Sequence, residues 1–155
     1  NEGIRLSFEQ YGVSGYDAYI ADAESKPETY SDPAGADSYS SVLSELAVKW
    51  DEAATPAQKQ ERILIQKWIA NFNLGNEAWA DYRRTGFPHL IPATAAGNMS
   101  GGIVDSNLGA RRMPYPQAEY TNNAQNIQEA VSSYLKGDDN MRTRIWWDCN
   151  PAINY

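Results

Sequence analysis

One cysteine and one histidine are all that this chain of 155 residues holds of thiol and imidazole chemistry. Cys149, being alone, closes no internal disulfide and builds no cysteine-based metal site. His89, between Pro88 and Leu90, cannot complete a His/Cys zinc site without further ligands, and a surface or packed ring is the expected reading rather than a catalytic base. No stretch approaches the roughly 20 apolar residues of a membrane-spanning helix. Repeats and low-complexity segments are also missing. Basic charge is scarce, with 13 Lys and Arg against 20 Asp and Glu and a net charge of −7. Nucleic-acid binding needs a basic patch, yet Arg83-Arg84, Arg111-Arg112 and Arg142/Arg144 are isolated pairs among aromatics and prolines. Anionic lipid is disfavoured for the same reason. No cofactor is expected. An incidental calcium ion on oxygen ligands is compatible with Asp32, Asp37, Asp138, Asp139 and Asn140, but none has EF-hand spacing and turns and caps are the expected role.

What is present concentrates between Gln66 and Pro88, in QKWIANFNLGNEAWADYRRTGFP. Upstream, Thr55-Pro56-Ala57-Gln58 has the order of a helix start. Thr55 caps, Pro56 suits the first helical position, and Gln58 completes a capping box. Ile63, Leu64, Ile65, Trp68, Ile69 and Phe72 then fall on one broad helical face. Gly75 is expected to end the helix in the left-handed region and Asn76 to cap a second helix at once. That helix runs through Trp79, Tyr82 and Arg83 to Thr85-Gly86, with Pro88 beyond. Glu77 in its first turn and Arg83 and Arg84 in its last suit the helix dipole by about 0.3–1 kcal/mol each. Trp79 and Arg83, four apart, are placed to stack. Core and scaffold is the favoured role for these aromatic and basic residues; an acidic ligand on Arg83 or Arg84 is the alternative.

Elsewhere the chain is loop-rich. Its length predicts one domain. The opening NEGIRLSFEQYG reads as the last turns of a helix ending at Gly12, with Ile4, Phe8 and Tyr11 on one face. A chain opening inside an amphipathic helix is expected to be the C-terminal part of a longer protein, with that face left uncovered. Tyr16 to Ala23 suits a short helix, and Ser25 to Ser41 reads as a loop carrying Tyr30 and Tyr39. Ser44 to Trp50 alternates in a way that predicts a short strand, although Leu43, Leu46, Ala47 and Trp50 also suit a helix. Pro92 to Ala110 is a long loop dense in Gly, Asn, Ser and Ala. RRMPYP, from Arg111 to Pro116, is expected to be extended, because residues before proline avoid the helical region. Pairing of RRMPYP with Ser44 to Trp50 is the expected β-structure. A last helix carries Ile127, Ala130, Val131, Tyr134 and Leu135 from a cap at Asn122 or Asn123 to Gly137. In MRTRIWWD the adjacent Trp146 and Trp147 face opposite ways if extended, one toward the core and one toward solvent or a partner.

Five segments in one order, GIRLSFEQYG, VKWDE, QKWIANFNLGNEAWADYRRTGFP, ARRMPYPQAEYTNNAQN and TRIWWD, run nearly the whole chain. Together they resemble the C-terminal portion of the SusD/RagB family, in its SusD-like branch of nutrient-binding outer-membrane lipoproteins. The resemblance implies a mainly α fold with long loops and a little β-structure, without the tetratricopeptide-repeat scaffold and lipidated N-terminus that precede this portion in the family. It implies residence at the outer membrane and cell surface, an oligosaccharide ligand, a SusC-like TonB-dependent transporter as partner, and no catalysis.

The residues matching the shared pattern are Trp68, Glu77, Trp79, Arg83, Arg84, Arg111, Arg112, Tyr115, Pro116, Trp146 and Trp147. The resemblance implies that they serve folding or docking, since the pattern is common to members with different ligands. Sugar contact needs an exposed aromatic face with polar groups at its rim, which points to Tyr30, Tyr39, Asn98, Asp105 and Asn107 in the two long loops. A peptide- or protein-binding relative is the second reading. A glycoside hydrolase is the third; it would need two carboxylates about 5–5.5 or 6.5–9.5 Å apart, drawn from Glu77, Asp81, Glu119 and Asp148.

Overall fold

The computed structural model describes residues 1–35, 43–91, 93 and 97–150. Six helices make up its regular structure: α1 (Glu2–Gln10), α2 (Tyr16–Ala21), α3 (Pro56–Ala70), α4 (Gly75–Thr85), α5 (Gln117–Asn122) and α6 (Ala124–Tyr134). They divide between two compact units. One holds residues 1–30 and 40–90, the other 31–39 and 91–155.

In the first unit, α1 ends at Tyr11 and Gly12, where the glycine takes a φ of 62°. Phe8 meets Tyr16 and Tyr19 with ring centroids 6.0 and 5.5 Å apart, so the aromatic face of α1 is half covered by α2 while Tyr11 stays exposed. The Tyr19 hydroxyl donates to Gln66 Oε1 at 2.9 Å and ties α2 to α3. α3 begins with the expected capping box: the Gln58 N–H donates to Thr55 Oγ1, and Gln58 Oε1 accepts from the Thr55 N–H. Thr55→Ala should therefore cost about 1 kcal/mol, read as a lower urea midpoint of the intact protein; an unmoved midpoint would mean the cap contributes nothing.

α3 and α4 pack through Leu64, Ala78 and Tyr82, all buried. Asp81 is ion-paired with Lys67 at 2.6 Å and with Arg84 at 3.0 Å, the latter also a hydrogen bond. The expected broad apolar face of α3 is only partly used: Leu64 is buried, but Ile63, Ile69 and Phe72 remain exposed within this unit. α4 alone is too narrow a partner for that whole stripe. Gly75 is another correction. It is the first residue of α4 and has no positive φ, and the chain reverses earlier, through Asn71, whose carbonyl accepts from Leu74 at 2.8 Å. The Leu74 carbonyl accepts from Glu77 and Ala78, so α4 starts on Leu74 and not on Asn76. Its end is as expected: Gly86 takes φ 80° and its N–H donates to Tyr82.

Ser44 to Trp50 forms no strand. Its polar groups pair singly instead. Ser44 Oγ accepts from Leu46, the Ala47 carbonyl accepts from Arg62 Nε, and the Lys49 N–H donates to Asp22. RRMPYP is irregular as well, with both Arg111 and Arg112 N–H groups donating to the Met141 carbonyl. Prolines at 114 and 116 remove two of the donors a ladder would need. Among the described residues, β pairing is limited to the isolated bridge Asp105–Gly109.

In the second unit, α5 was not foreseen as a separate helix. A six-residue segment, QAEYTN, shows too little periodicity to mark one. Asn123 separates it from α6, whose Ile127 is buried; Leu135 then turns extended, so α6 ends before Gly137.

Candidate functional site

Two buried carboxylates organise the second unit. Arg111 is 0% exposed, and its Nε and Nη2 donate to the two carboxylate oxygens of Asp148, the Nε bond at 2.7 Å. A planar guanidinium matches a carboxylate in this bidentate way. Asp139 is the second centre. It accepts from Arg112, from the Tyr115 N–H at 3.1 Å and from the Tyr120 hydroxyl. Burial pushes the Asp139 carboxyl up, but the Tyr120, Arg112 and Tyr115 hydrogen bonds outweigh it and hold the group below its ordinary value. The same bond raises the Tyr120 phenol. Arg112 also lies over the Tyr115 ring, 5.0 Å from its centroid. Pro116 stands at the N-cap of α5. The sequence pattern marks Arg111, Arg112, Tyr115 and Pro116 but not their anionic partners, because Asp139 and Asp148 are far along the chain.

The other matching residues lie in the first unit. Trp68 and Trp79 are partly exposed and Glu77 is exposed. The Arg83 guanidinium lies 5.9 Å from the Trp79 ring centre, the foreseen stacking. Arg84 pairs with Asp81, whose carboxyl is held below its usual range first by Lys67 and also by Arg84, against the opposing effect of burial.

The expected sugar contacts divide between the two units. Tyr30, 43% exposed, lies in the first unit. Asn98, Asp105 and Asn107 lie in the second. Tyr39 falls outside the described residues, as does Asp37. Asn98 is occupied in shaping its own loop: its amide donates to the Val104 carbonyl and to Ser106 Oγ, and its Oδ1 accepts from Ser100. Asp105 Oδ1 accepts from the Asn107 and Leu108 N–H groups. Asn107 is exposed. The loop is thus built by the residues chosen as contacts, with Gly101 and Gly102 at positive φ forming its turn.

Of the oxygen groups compatible with calcium, Asp32, Asp138 and Asn140 are turn formers here. Asp32 Oδ1 accepts from Ala34, the Asp138 carbonyl from Thr143, and Asn140 Oδ1 from Arg142 and Thr143. Among the described residues, no cluster of three or more His, Cys, Asp or Glu is arranged to hold a metal.

Neither Trp146 nor Trp147 enters the core of its unit, against the expectation that one would. They are 82% and 61% exposed, with ring centroids 5.3 Å apart and planes at 83°. The segment is a tight turn rather than a strand, closed by the Asp148 N–H donating to the Ile145 carbonyl at 2.9 Å, so alternation of faces does not apply.

A family model, SusD-like, described as Susd and RagB outer membrane lipoprotein, matches residues 1–148. A solved SusD homologue from Bacteroides uniformis is 63% identical with a TM-score of 0.82, over 96% of this chain and 30% of that one. A chitin-binding SusD homologue from Flavobacterium johnsoniae is 44% identical with a TM-score of 0.78, over 97% of this chain and 31% of that one. A SusD homologue from Bacteroides ovatus is 44% identical with a TM-score of 0.76, over 96% of this chain and 32% of that one. No curated protein matches the chain. The chain spans 30–32% of the length of these solved relatives.

Proposed function

The chain belongs to the SusD-like family, and from that membership we propose that it is the C-terminal portion, over residues 1–155, of a cell-surface glycan-binding lipoprotein of the outer membrane. The protein delivers its ligand to a SusC-like TonB-dependent transporter and is held to the membrane by an N-terminal lipid anchor outside this sequence. The observation that carries the reading is the 44% identity, over 97% of the chain, to a chitin-binding SusD homologue.

The reading assigns no catalytic residue and no cofactor. The carboxylates weighed for hydrolysis mostly have plainer work. Asp81 is paired with Lys67 and Arg84, Asp148 with Arg111, and Glu119 accepts from Asn123 at 3.0 Å. A carboxylate locked to arginine is a poor general acid, since the pairing favours its ionised form. Contacts to ligand are assigned to the long loops, through Tyr30, Tyr39 and Asn107, with Asn98 and Asp105 holding the loop that presents Asn107.

The full-length protein should retard on affinity gels cast with at least one member of a polysaccharide panel that includes soluble chitin fragments, and should release no reducing ends from it. No retardation by any member would sink the glycan reading. Turnover that disappears in Glu77→Gln would replace it with a hydrolase.

A further inference from the structure

We propose, resting on the transporter-delivery role given above, that the tip of the 97–109 loop is a docking knuckle whose Met99 and Ile103 enter an apolar pocket on the transporter. The loop builds itself before any partner arrives. The Asn98 amide donates to the Val104 carbonyl at 3.0 Å and ties the two arms together, while Asn98 Oδ1 accepts from the Ser100 N–H and hydroxyl. The Ser100 hydroxyl accepts in turn from the Val104 N–H at 3.1 Å. Beyond that tie, the Ile103 N–H donates to the Ser100 carbonyl at 3.3 Å. The turn so closed has Gly101 and Gly102 at its centre, with φ of 63° and 88°. Glycine takes two such values in succession without strain. Met99 and Ile103 flank this turn on opposite arms, 91% and 49% exposed.

The chemistry of the tip selects its occupant. Residues 97–110 hold no aromatic ring and one charged group, Asp105. Asp105 Oδ1 is taken up by the Asn107 and Leu108 N–H groups. Without an aromatic face the tip offers a pyranose nothing to stack on. It also lacks the Trp, Tyr, Lys or Arg that anchors a segment among lipid headgroups. A thioether and a branched aliphatic chain, raised on a fixed turn, suit an apolar pocket in a protein, and the flexible Met adapts to its shape. The pocket supplies the burial that both side chains lack here. Because the turn is already hydrogen-bonded, ordering it costs the complex little. Asn107 lies in a separate turn, spanned by the Asp105–Gly109 bridge. Ligand contact and partner docking therefore fall to different turns of one loop.

The test co-expresses the full-length protein with its SusC-like transporter, extracts both in mild detergent, purifies them and titrates one against the other. Met99→Ser combined with Ile103→Ser should weaken the complex at least about tenfold. Met99→Leu, which keeps the apolar volume, should stay within about threefold of the wild type. Glycan retardation and urea midpoints should match the wild type in both variants. A photo-reactive group in place of Met99 should cross-link to the transporter. An unchanged complex in the double variant would overturn the knuckle and leave the delivery role standing. Loss of glycan retardation in the double variant would overturn it by making the tip a ligand contact. A lower urea midpoint would overturn it too, placing the tip against another part of the protein. Cross-linking to lipid or to a second copy in place of the transporter would also overturn it, with the membrane or self-association as the occupant. A wild type that forms no complex with the transporter would end both the delivery role and the docking.

Discussion

Arg111→Ala should destabilise the intact protein by about 3–5 kcal/mol, the usual cost of stranding a buried charge. The substitution leaves Asp148, whose side chain is 3% exposed, without the guanidinium that neutralises it. Arg144 is a weak substitute, because its Nη1 stands 4.0 Å from Asp148 Oδ1 and makes no fork with the carboxylate. Arg111→Lys should recover only part of the loss, since an ammonium supplies the charge but not the two-pronged geometry. The pair is itself imperfect. Arg111 Nη1 is buried without a hydrogen-bond partner among the described residues, and an unsatisfied buried donor costs about 1–3 kcal/mol. Arg111→Met combined with Asp148→Leu should therefore restore most of the stability lost in Arg111→Ala. Urea titration followed by near-ultraviolet circular dichroism measures all of these. A loss under about 1 kcal/mol in Arg111→Ala would mean that the fork is open to water.

Asp139 gives the second large effect. Its carboxylate serves Arg112, Tyr115 and Tyr120 together, and the Arg112 and Asp139 side chains are 7% and 8% exposed. Asp139→Ala leaves a buried cation, a backbone N–H and a phenol without their acceptor, and about 3 kcal/mol or more should be lost. Acid should act on the same group. The folded-state value lies below the ordinary 3.8, so the unfolded chain takes up the proton first as pH falls. The contribution is therefore complete above the ordinary value and is lost as pH drops through it toward the folded value. Urea midpoints at pH 7, 5, 4 and 3 should fall on acidification in the wild type. The fall should be shallower in Asp139→Asn, which starts from a lower midpoint at pH 7. Parallel pH profiles for the two proteins would show that Asp139 is not a source of the acid sensitivity.

How far these features were visible beforehand depends on how local they are. The Thr55–Gln58 capping box and the Gly86 stop were legible because each is set by residues within about one helical turn. The Trp79–Arg83 stacking was legible for the same reason. Gly75 misled, because a glycine after a periodic run suits either a left-handed stop or a first helical residue, and the Asn71–Leu74 turn had already reversed the chain. Asn98 and Asp105 were identified as polar loop residues. That identity does not reveal that their side chains bond within their own loop.

By itself the sequence determined five of the six described helices and the family, since these follow from residue identity, short-range periodicity and the order of recognisable segments. Only the tertiary structure decided what the charges do and where the tryptophans lie. Arg111 meets Asp148 across 37 positions and Arg112 meets Asp139 across 27. Nothing in local spacing selects one carboxylate among twenty acidic residues at such separations. The physical reason is that a buried cation takes whichever anion the folded backbone brings to it. The same long-range fork anchors the turn that keeps Trp146 and Trp147 outside the core of their unit.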